Sequence, residues 1–297
     1  LRTLAAALAA LTGARFGYLP DAGNACGGWL AGAVPHRGPA GATVERAGMT
    51  ATELLASPRR GYLLLGVEPE FDTADPAGAL AAMEAAEAVV AVAPFTTDAM
   101  LQYASVILPA STFAETDGTF VNAEGLWQNF AAAGSLPGAA RPAWKILRVM
   151  ANELGVEGFD YFAAAEARRE LKERCREVAL DNALPGGEPV TPGAPRDGLV
   201  RAGDVPMYSV DPLVRRSRPL QEAADAGRAA VGVAPADAER LGLADGGRAQ
   251  VRQGGCEQIL DVVVDDGVPA GCAWIPQALA GTASLGPAAG PVELERA

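Results

Sequence analysis

Histidine is almost missing from this chain: His36 is the single one in 297 residues. That excludes a histidine-rich metal site. Cysteine is scarce too. Cys26, Cys175, Cys256 and Cys272 are the only four, and no two are closer than Cys256 and Cys272. No C-x-x-C pair exists, so the local spacing of an iron–sulfur cluster or structural zinc is absent, and no disulfide framework is implied. Reduced thiols packed in a cytoplasmic protein are the expectation. Basic residues are outnumbered 24 to 36, which leaves a net charge of −12. Such a polyanion repels nucleic acid and anionic lipid, so neither is an expected partner surface. No apolar run approaches the ~20 residues that span a bilayer, and no signal peptide is visible. There is no P-loop and no G-x-G-x-x-G.

Apolar residues are plentiful at 49%, although aromatics reach only 6%. Burial is therefore not limiting, and the length suits two domains. The chain opens at Leu1, without methionine, directly into an expected helix over residues 2–12. That beginning suggests a piece of something longer.

Gly13 stops the first helix, and Ala14 to Leu19 reads as a short strand. Residues 20–50 are loop-rich. Thr50 and Glu53 have capping-box spacing before a brief helix that ends near Ser57 and Pro58. The pattern then becomes regular. Tyr62 to Val67 is a continuous apolar run, expected of a strand buried on both faces. A helix follows from Asp75 or Pro76 to Glu87, then a buried strand over 88–92. Thr96 or Thr97 caps a short helix through Tyr103, and 106–108 is a third strand. This βαβαβ order predicts a parallel sheet with right-handed crossovers. Arg141 to Gly155 reads as a helix with a core face of Trp144, Leu147, Met150, Ala151 and Leu154. Another helix runs from about Phe162 to Val178, with Cys175 on its packed stripe and Glu170–Arg174 as an exposed i,i+4 pair.

Residues 185–206 hold five prolines and five glycines, a density that reads as a linker. Beyond it lie a short helix over 235–241 and strands near 248–252, 256–264 and 272–275, separated by glycine turns. That grammar suggests a small β-barrel. The expected division is an α/β domain over 1–184, a linker over 185–217 and a barrel over 218–297.

The most distinctive stretch is 105–130. The apolar strand empties into what reads as a long polar loop carrying Glu115, Asp117, Gly118, Thr119, Asn122, Glu124, Gly125 and Gln128. In an open parallel sheet, ligands lie outside the carboxyl ends of the strands. The three carboxylates, Glu115, Asp117 and Glu124, could serve acid–base chemistry. Yet no histidine or cysteine lies nearby, and the glycines equally serve turns. Thr96, Thr97 and Asp98 open a helix and could face an anion, or they could simply cap it.

Leu108-Pro-Ala-x-x-Phe-Ala-Glu-x-Asp-Gly-Thr-Phe-x-Asn-x-Glu-Gly-x-x-Gln128 resembles the signature of the molybdopterin oxidoreductase superfamily. Gly66-Val-Glu-Pro69, Val92 to Asp98 and Pro137-Gly-x-Ala-x-Pro-x-Trp144 support it. Residues 234–246 resemble the superfamily's dinucleotide-binding barrel. Within the superfamily the string is most similar to the G-type subunits of bacterial NADH-quinone oxidoreductase, respiratory complex I. The resemblance implies a Rossmann-like α/β domain followed by a small β-barrel. It implies peripheral-arm subunits as partners, on the cytoplasmic side of the bacterial inner membrane, without membrane insertion. It places iron–sulfur ligands in an N-terminal part not present here, and no catalytic residue or metal in this part. One departure stands out: the family usually has arginine after Glu-Gly, and here Leu126 stands there. Leucine cannot pair with phosphate or a carboxylate. Gly118, Thr119, Asn122, Glu124 and Gln128 would then be a vestigial cofactor cradle. The alternative is the C-terminal half of an active enzyme of the formate dehydrogenase or nitrate reductase type, in which molybdopterin would be held.

Overall fold

The computed structural model describes residues 2–20, 22–179 and 198–297. In chain order the helices are α1 (Arg2–Thr12), α2 (Ala25–Leu30), α3 (Ala51–Ala56), α4 (Pro69–Asp72), α5 (Pro76–Glu84), α6 (Asp98–Tyr103), α7 (Ala143–Glu153), α8 (Ala164–Arg174), α9 (Arg218–Gln221) and α10 (Pro235–Leu241). The strands are β1 (Gly61–Leu65), β2 (Ala88–Ala93), β3 (Val106–Pro109), β4 (Gly118–Val121), β5 (Trp127–Phe130), β6 (Leu199–Ala202), β7 (Ala230–Val233), β8 (Arg248–Gln253), β9 (Cys256–Val264), β10 (Cys272–Trp274) and β11 (Gly290–Arg296).

The chain forms two compact units that interleave in sequence. One draws on Leu1–Thr50, Phe113–Ser135 and Leu147–Arg196; the other on Ala51–Thr112, Leu136–Ile146 and Asp197–Ala297. The parallel sheet and the barrel therefore share a unit.

In that unit the expected βαβαβ is present. β1, β2 and β3 form a parallel sheet in that order. Asp75 caps α5 by accepting from the Gly78 amide at 3.1 Å, with Pro76 at the first helical position. Thr97 caps α6 through the Met100 amide at 3.0 Å. Tyr62, Leu64, Val89, Ala91 and Ile107 turn to one face and pack with Leu55, Ala82, Met83, Met100 and Tyr103 from α3, α5 and α6. The sequence expectation that β1 is buried on both faces is not met. Leu63 and Leu65 point to the other face and are 50% and 47% exposed. On that same face Val92 of β2, level with Leu65, is nevertheless fully buried.

Six strands close the barrel in the order β10-β6-β11-β8-β9-β7. Alternation sends Ala249 and Val251 of β8 inward against Val231, Val233, Val262, Ile275 and Leu294. Gly242, at φ +64, is the left-handed stop of α10. β6 lies inside the 185–217 stretch expected as a linker and is an integral barrel strand, paired to β10 and β11. The rest of the Pro/Gly-rich segment up to residue 197 lies outside the described residues.

In the other unit, α2 and α8 pack near the β4–β5 hairpin. Residues 14–19, expected as a strand, are irregular and pair with no neighbour strand. α8 is shorter than expected; Glu166 reaches back to the Phe162 amide at 2.7 Å, and Arg174 bonds Glu170 as the i,i+4 spacing predicts. α7 ends with Gly155 at φ +67. Of its expected core face, Ala151 is buried, but Leu154 is 76% exposed. Among the described residues no helix is long and apolar enough to cross a membrane.

Candidate functional site

The stretch read as a cofactor loop is a hairpin. After a short 3-10 turn over Phe113–Glu115, β4 and β5 pair antiparallel, with Gly118 opposite Phe130, Thr119 opposite Asn129, Phe120 opposite Gln128 and Val121 opposite Trp127. Asn122 closes it: its Oδ1 accepts from the Glu124 amide at 3.0 Å and the Leu126 amide at 2.9 Å. This is an Asx turn, completed by Gly125 at φ +81. Asp117 fastens the base by accepting from the Ala132 amide at 2.9 Å. Thr119 Oγ1 lies 3.2 Å from Asn129 Oδ1 across the strands. At Gly118 a Cβ would stand 2.2 Å from the Phe130 ring, which itself meets Phe120 edge-on at 5.2 Å. A side chain at this position would therefore force the Phe130 ring to move.

The five sequence candidates share this hairpin but not one face of it. Strand alternation sends Thr119 to one side, and Gly118 and Gln128 to the other. Glu124, Gln128 and Leu126 are exposed. Asn24 was not foreseen: its Oδ1 accepts from the Val121 amide at 2.8 Å and ties the segment before α2 to β4. His36 packs edge-on against Trp29. All four cysteines are free and half-buried; burial pushes the Cys26 thiol up, and burial, then Cys26 itself, pushes Cys175 up. A raised thiol is a weak nucleophile at neutral pH, which suits packing.

The place where ligands sit in a parallel sheet, beyond the strand carboxyl ends, belongs to the other unit. There β1 runs through Gly66 into Glu68, which is 2% exposed. Arg215 answers it across the fold. Its Nη1 donates to Glu68 Oε2 at 2.6 Å and its Nε to the Ser209 carbonyl at 3.0 Å; its Nη2 pairs with Asp72. Asp72 Oδ2 also accepts from the Glu68 amide at 2.7 Å. Burial is the main influence on Asp72 and pushes its carboxyl up, against the pull of that amide and of Arg215. Arg216 Nη2 approaches Glu68 Oε1 at 2.7 Å, off the hydrogen-bond direction, so this contact is an ion pair alone. The two guanidiniums also lie over aromatic rings: Arg215 is 5.1 Å from Phe71, and Arg216 is 4.7 Å from Phe95.

An open cavity of about 380 Å³ adjoins this network, walled by Phe71, residues 96–98, Ser209, Arg215, Arg216, Gln221 and residues 278–280. Thr97 is spent on capping α6, and the Thr96 carbonyl accepts from Arg216 at 3.5 Å. Two cations at such an edge would clamp a phosphate. Here both are already paired to Glu68, and Arg215 to Asp72 as well. Close by, Glu70 is 4% exposed, and neither of its carboxylate oxygens has a hydrogen-bond partner among the described residues. The buried Tyr103 hydroxyl is pushed far up, first by burial, then by Glu70 and Glu68. The surroundings are thus negative overall, and an entering anion would have to displace Glu68.

Glu68 was legible as part of a motif but not as an acid holding two cations. The adjacent Arg215-Arg216 pair in a chain of net −12 was the signal that could have found the rest.

The molybdopterin oxidoreductase family profile matches residues 7–153. The mitochondrial NADH-ubiquinone oxidoreductase 78 kDa subunit of Neurospora crassa is 44% identical over 72 residues, 24% of this chain and 10% of that protein. The F420-dependent formate dehydrogenase 2 subunit alpha of Methanococcus maripaludis is 33% identical over 128 residues, 42% of this chain and 19% of that one. The G subunit of the Mycobacterium bovis NADH-quinone oxidoreductase is 32% identical over 177 residues, 51% of this chain and 22% of that one. The matches therefore span between 10% and 22% of the length of these relatives. Acetylene hydratase from Pelobacter acetylenicus shares the fold, with a TM-score of 0.55 at 15% identity, covering 82% of this chain and 46% of that one. The chain thus carries, over residues 7–153, a molybdopterin oxidoreductase domain.

Proposed function

We infer that this chain is a structural, non-redox part of a G-type subunit of an NADH-quinone oxidoreductase, whose parent passes electrons from NADH to quinone. In this reading the chain holds no pterin, no metal and no iron–sulfur cluster. It packs beside cluster-bearing polypeptide in the peripheral arm, against other subunits, on the cytoplasmic side of the membrane. The observation that carries it is the internal pairing of Arg215 and Arg216 with Glu68 and Asp72. A pterin dinucleotide carries phosphate charge, and the cations that would meet it are consumed within the fold. The hairpin residues support the same reading, because Asp117, Gly118 and Asn122 serve the hairpin itself.

Glu68 holds one buried cation, Arg215, and one partly exposed one, Arg216, so displacing it by a ligand anion would be costly. The second reading, part of a molybdopterin-dependent oxidoreductase such as a formate dehydrogenase, is favoured by one observation. The 380 Å³ cavity remains open beside the two guanidiniums. Elemental and pterin analysis of the complete protein separates the two: the first reading expects neither molybdenum nor pterin, and stoichiometric amounts of both would overturn it.

A further inference from the structure

Glu70 is a buried carboxylate that the fold leaves unpaired. It lies in the first turn of α4, is 4% exposed, and neither of its oxygens accepts a hydrogen bond among the described residues. Two more buried oxygens are in the same state, Glu68 Oε1 and the Tyr103 hydroxyl. All of them lie within one field. After burial itself, Glu70 and then Glu68 push the Tyr103 hydroxyl up, and both acids also add to the burial that pushes Asp72 up.

The formal charges do not balance. Glu68, Glu70 and Asp72 are three acids. The cations paired with them are two, Arg215 and Arg216; both hold Glu68, and Arg215 also holds Asp72. One negative charge is left over, and it falls on Glu70. Burying an ionised carboxylate without a partner is strongly unfavourable. What offsets it must be small, because a side chain of another polypeptide does not reach a group this enclosed. It must be cationic, because water supplies hydrogen bonds but leaves the charge. It must be monovalent to balance a single charge. A divalent ion asks for more carboxylates, and among the described residues no three His, Cys, Asp or Glu side chains are set to hold a metal ion. Ligands that are all oxygen select a hard cation.

We propose that Glu70 binds one alkali-metal cation, Na+ or K+, with the Tyr103 hydroxyl oxygen as a second ligand and water completing the shell. The ion is structural. It neutralises the acid surplus behind the Glu68–Arg215 pair and leaves both guanidiniums on Glu68. Such an ion carries no electrons, so it leaves untouched the non-redox reading given above, whose metals are molybdenum and iron. It holds equally if the parent is a molybdenum enzyme.

The test melts the complete protein by calorimetry in NaCl, KCl and tetramethylammonium chloride at equal ionic strength. Tetramethylammonium is too wide to enter a site this enclosed. The expected result is a Tm higher in NaCl or KCl by on the order of 5 °C, saturating as the alkali ion replaces tetramethylammonium. Glu70→Gln keeps the size of the side chain, removes its charge and should abolish the difference. Tyr103→Phe keeps the packed ring and should move the saturation midpoint to a several-fold higher concentration. It also serves as the readout if Glu70→Gln does not fold. Equal melting in all three chlorides, a difference that survives Glu70→Gln, or a midpoint unmoved in Tyr103→Phe would each overturn the proposal. A proton on Glu70 in place of the ion would give the first of these results.

Discussion

Replacing Glu68 by glutamine tests the internal pairing most sharply. Glutamine keeps the size of the side chain and removes its charge. Glu68 is 2% exposed, and the Arg215 side chain facing it is 8% exposed. Glu68→Gln leaves Arg215 with one partly exposed carboxylate, Asp72, and Arg216 with only its bonds to the Pro212 and Thr96 carbonyls. Breaking a buried pair by removing one partner costs about 3–5 kcal/mol. For a unit of this size that lowers Tm on the order of 10 °C. Differential scanning calorimetry of the complete protein reads the shift. The second arm is anion rescue. In Glu68→Gln, phosphate or sulfate can enter beside Arg215 and Arg216, so each should restore several degrees relative to chloride at equal ionic strength. The parent protein should gain nothing specific from either anion. In a third arm, Glu68→Leu with Arg215→Met and Arg216→Met replaces the network by apolar groups of similar size and should cost under ~2 kcal/mol. If Glu68→Gln melts within about 2 °C of the parent, with no response to phosphate, the two arginines do not depend on Glu68 and the reasoning fails.

Three further outcomes follow from local geometry. Gly118→Val drives a side chain into the Phe130 ring and should destabilise the hairpin by about 1–3 kcal/mol, seen as faster exchange of the β4 and β5 amides. Gly203→Ala sets a Cβ 2.1 Å from the Ile275 carbonyl oxygen, a backbone atom that cannot turn aside, so the barrel should lose more stability than in the Gly118 variant, read by thermal melting. The Asp237 carboxyl is held low, chiefly by its bond to Arg240 and next by the Gly271 amide at 2.7 Å. A lowered folded value means the contribution is full above the unfolded value near 4 and is lost as pH falls through the folded one. Asp237→Asn should therefore lower barrel stability at pH 7 and flatten its loss between about pH 4 and pH 2; an unchanged acid profile would contradict the assignment.

Sequence patterns reached the elements more surely than their surroundings. Helix starts at Asp75 or Pro76 and at Thr96 or Thr97, and the stop at Gly242, were legible because each rests on residues within one turn of each other; the βαβαβ order followed from the spacing of the apolar runs. The exposure of Leu63 and Leu65 was not. A run such as Tyr62 to Leu65 has the same composition whether one helix layer covers it or two, and the direction of winding decides. The hairpin was missed although Gly118-Thr-Phe-Val121 and Trp127-Gln-Asn-Phe130 have strand character. Polar residues of a ligand-binding signature drew the reading toward chemistry, while Asn122 and Asp117 were bonding their own backbone. The strand β6 was hidden by proline and glycine on its N-terminal side. The Glu68–Arg215 pair joins residues 147 positions apart, and no local rule brings them together.

The most direct test of the account is the molybdenum and pterin content of the complete protein, purified without denaturant and measured by elemental mass spectrometry and by fluorescence of the oxidised pterin. The internal pairing of Arg215 and Arg216 predicts neither in stoichiometric amount. One molybdenum with one or two pterins per chain, lost together on substituting Arg215 or Arg216, would contradict it.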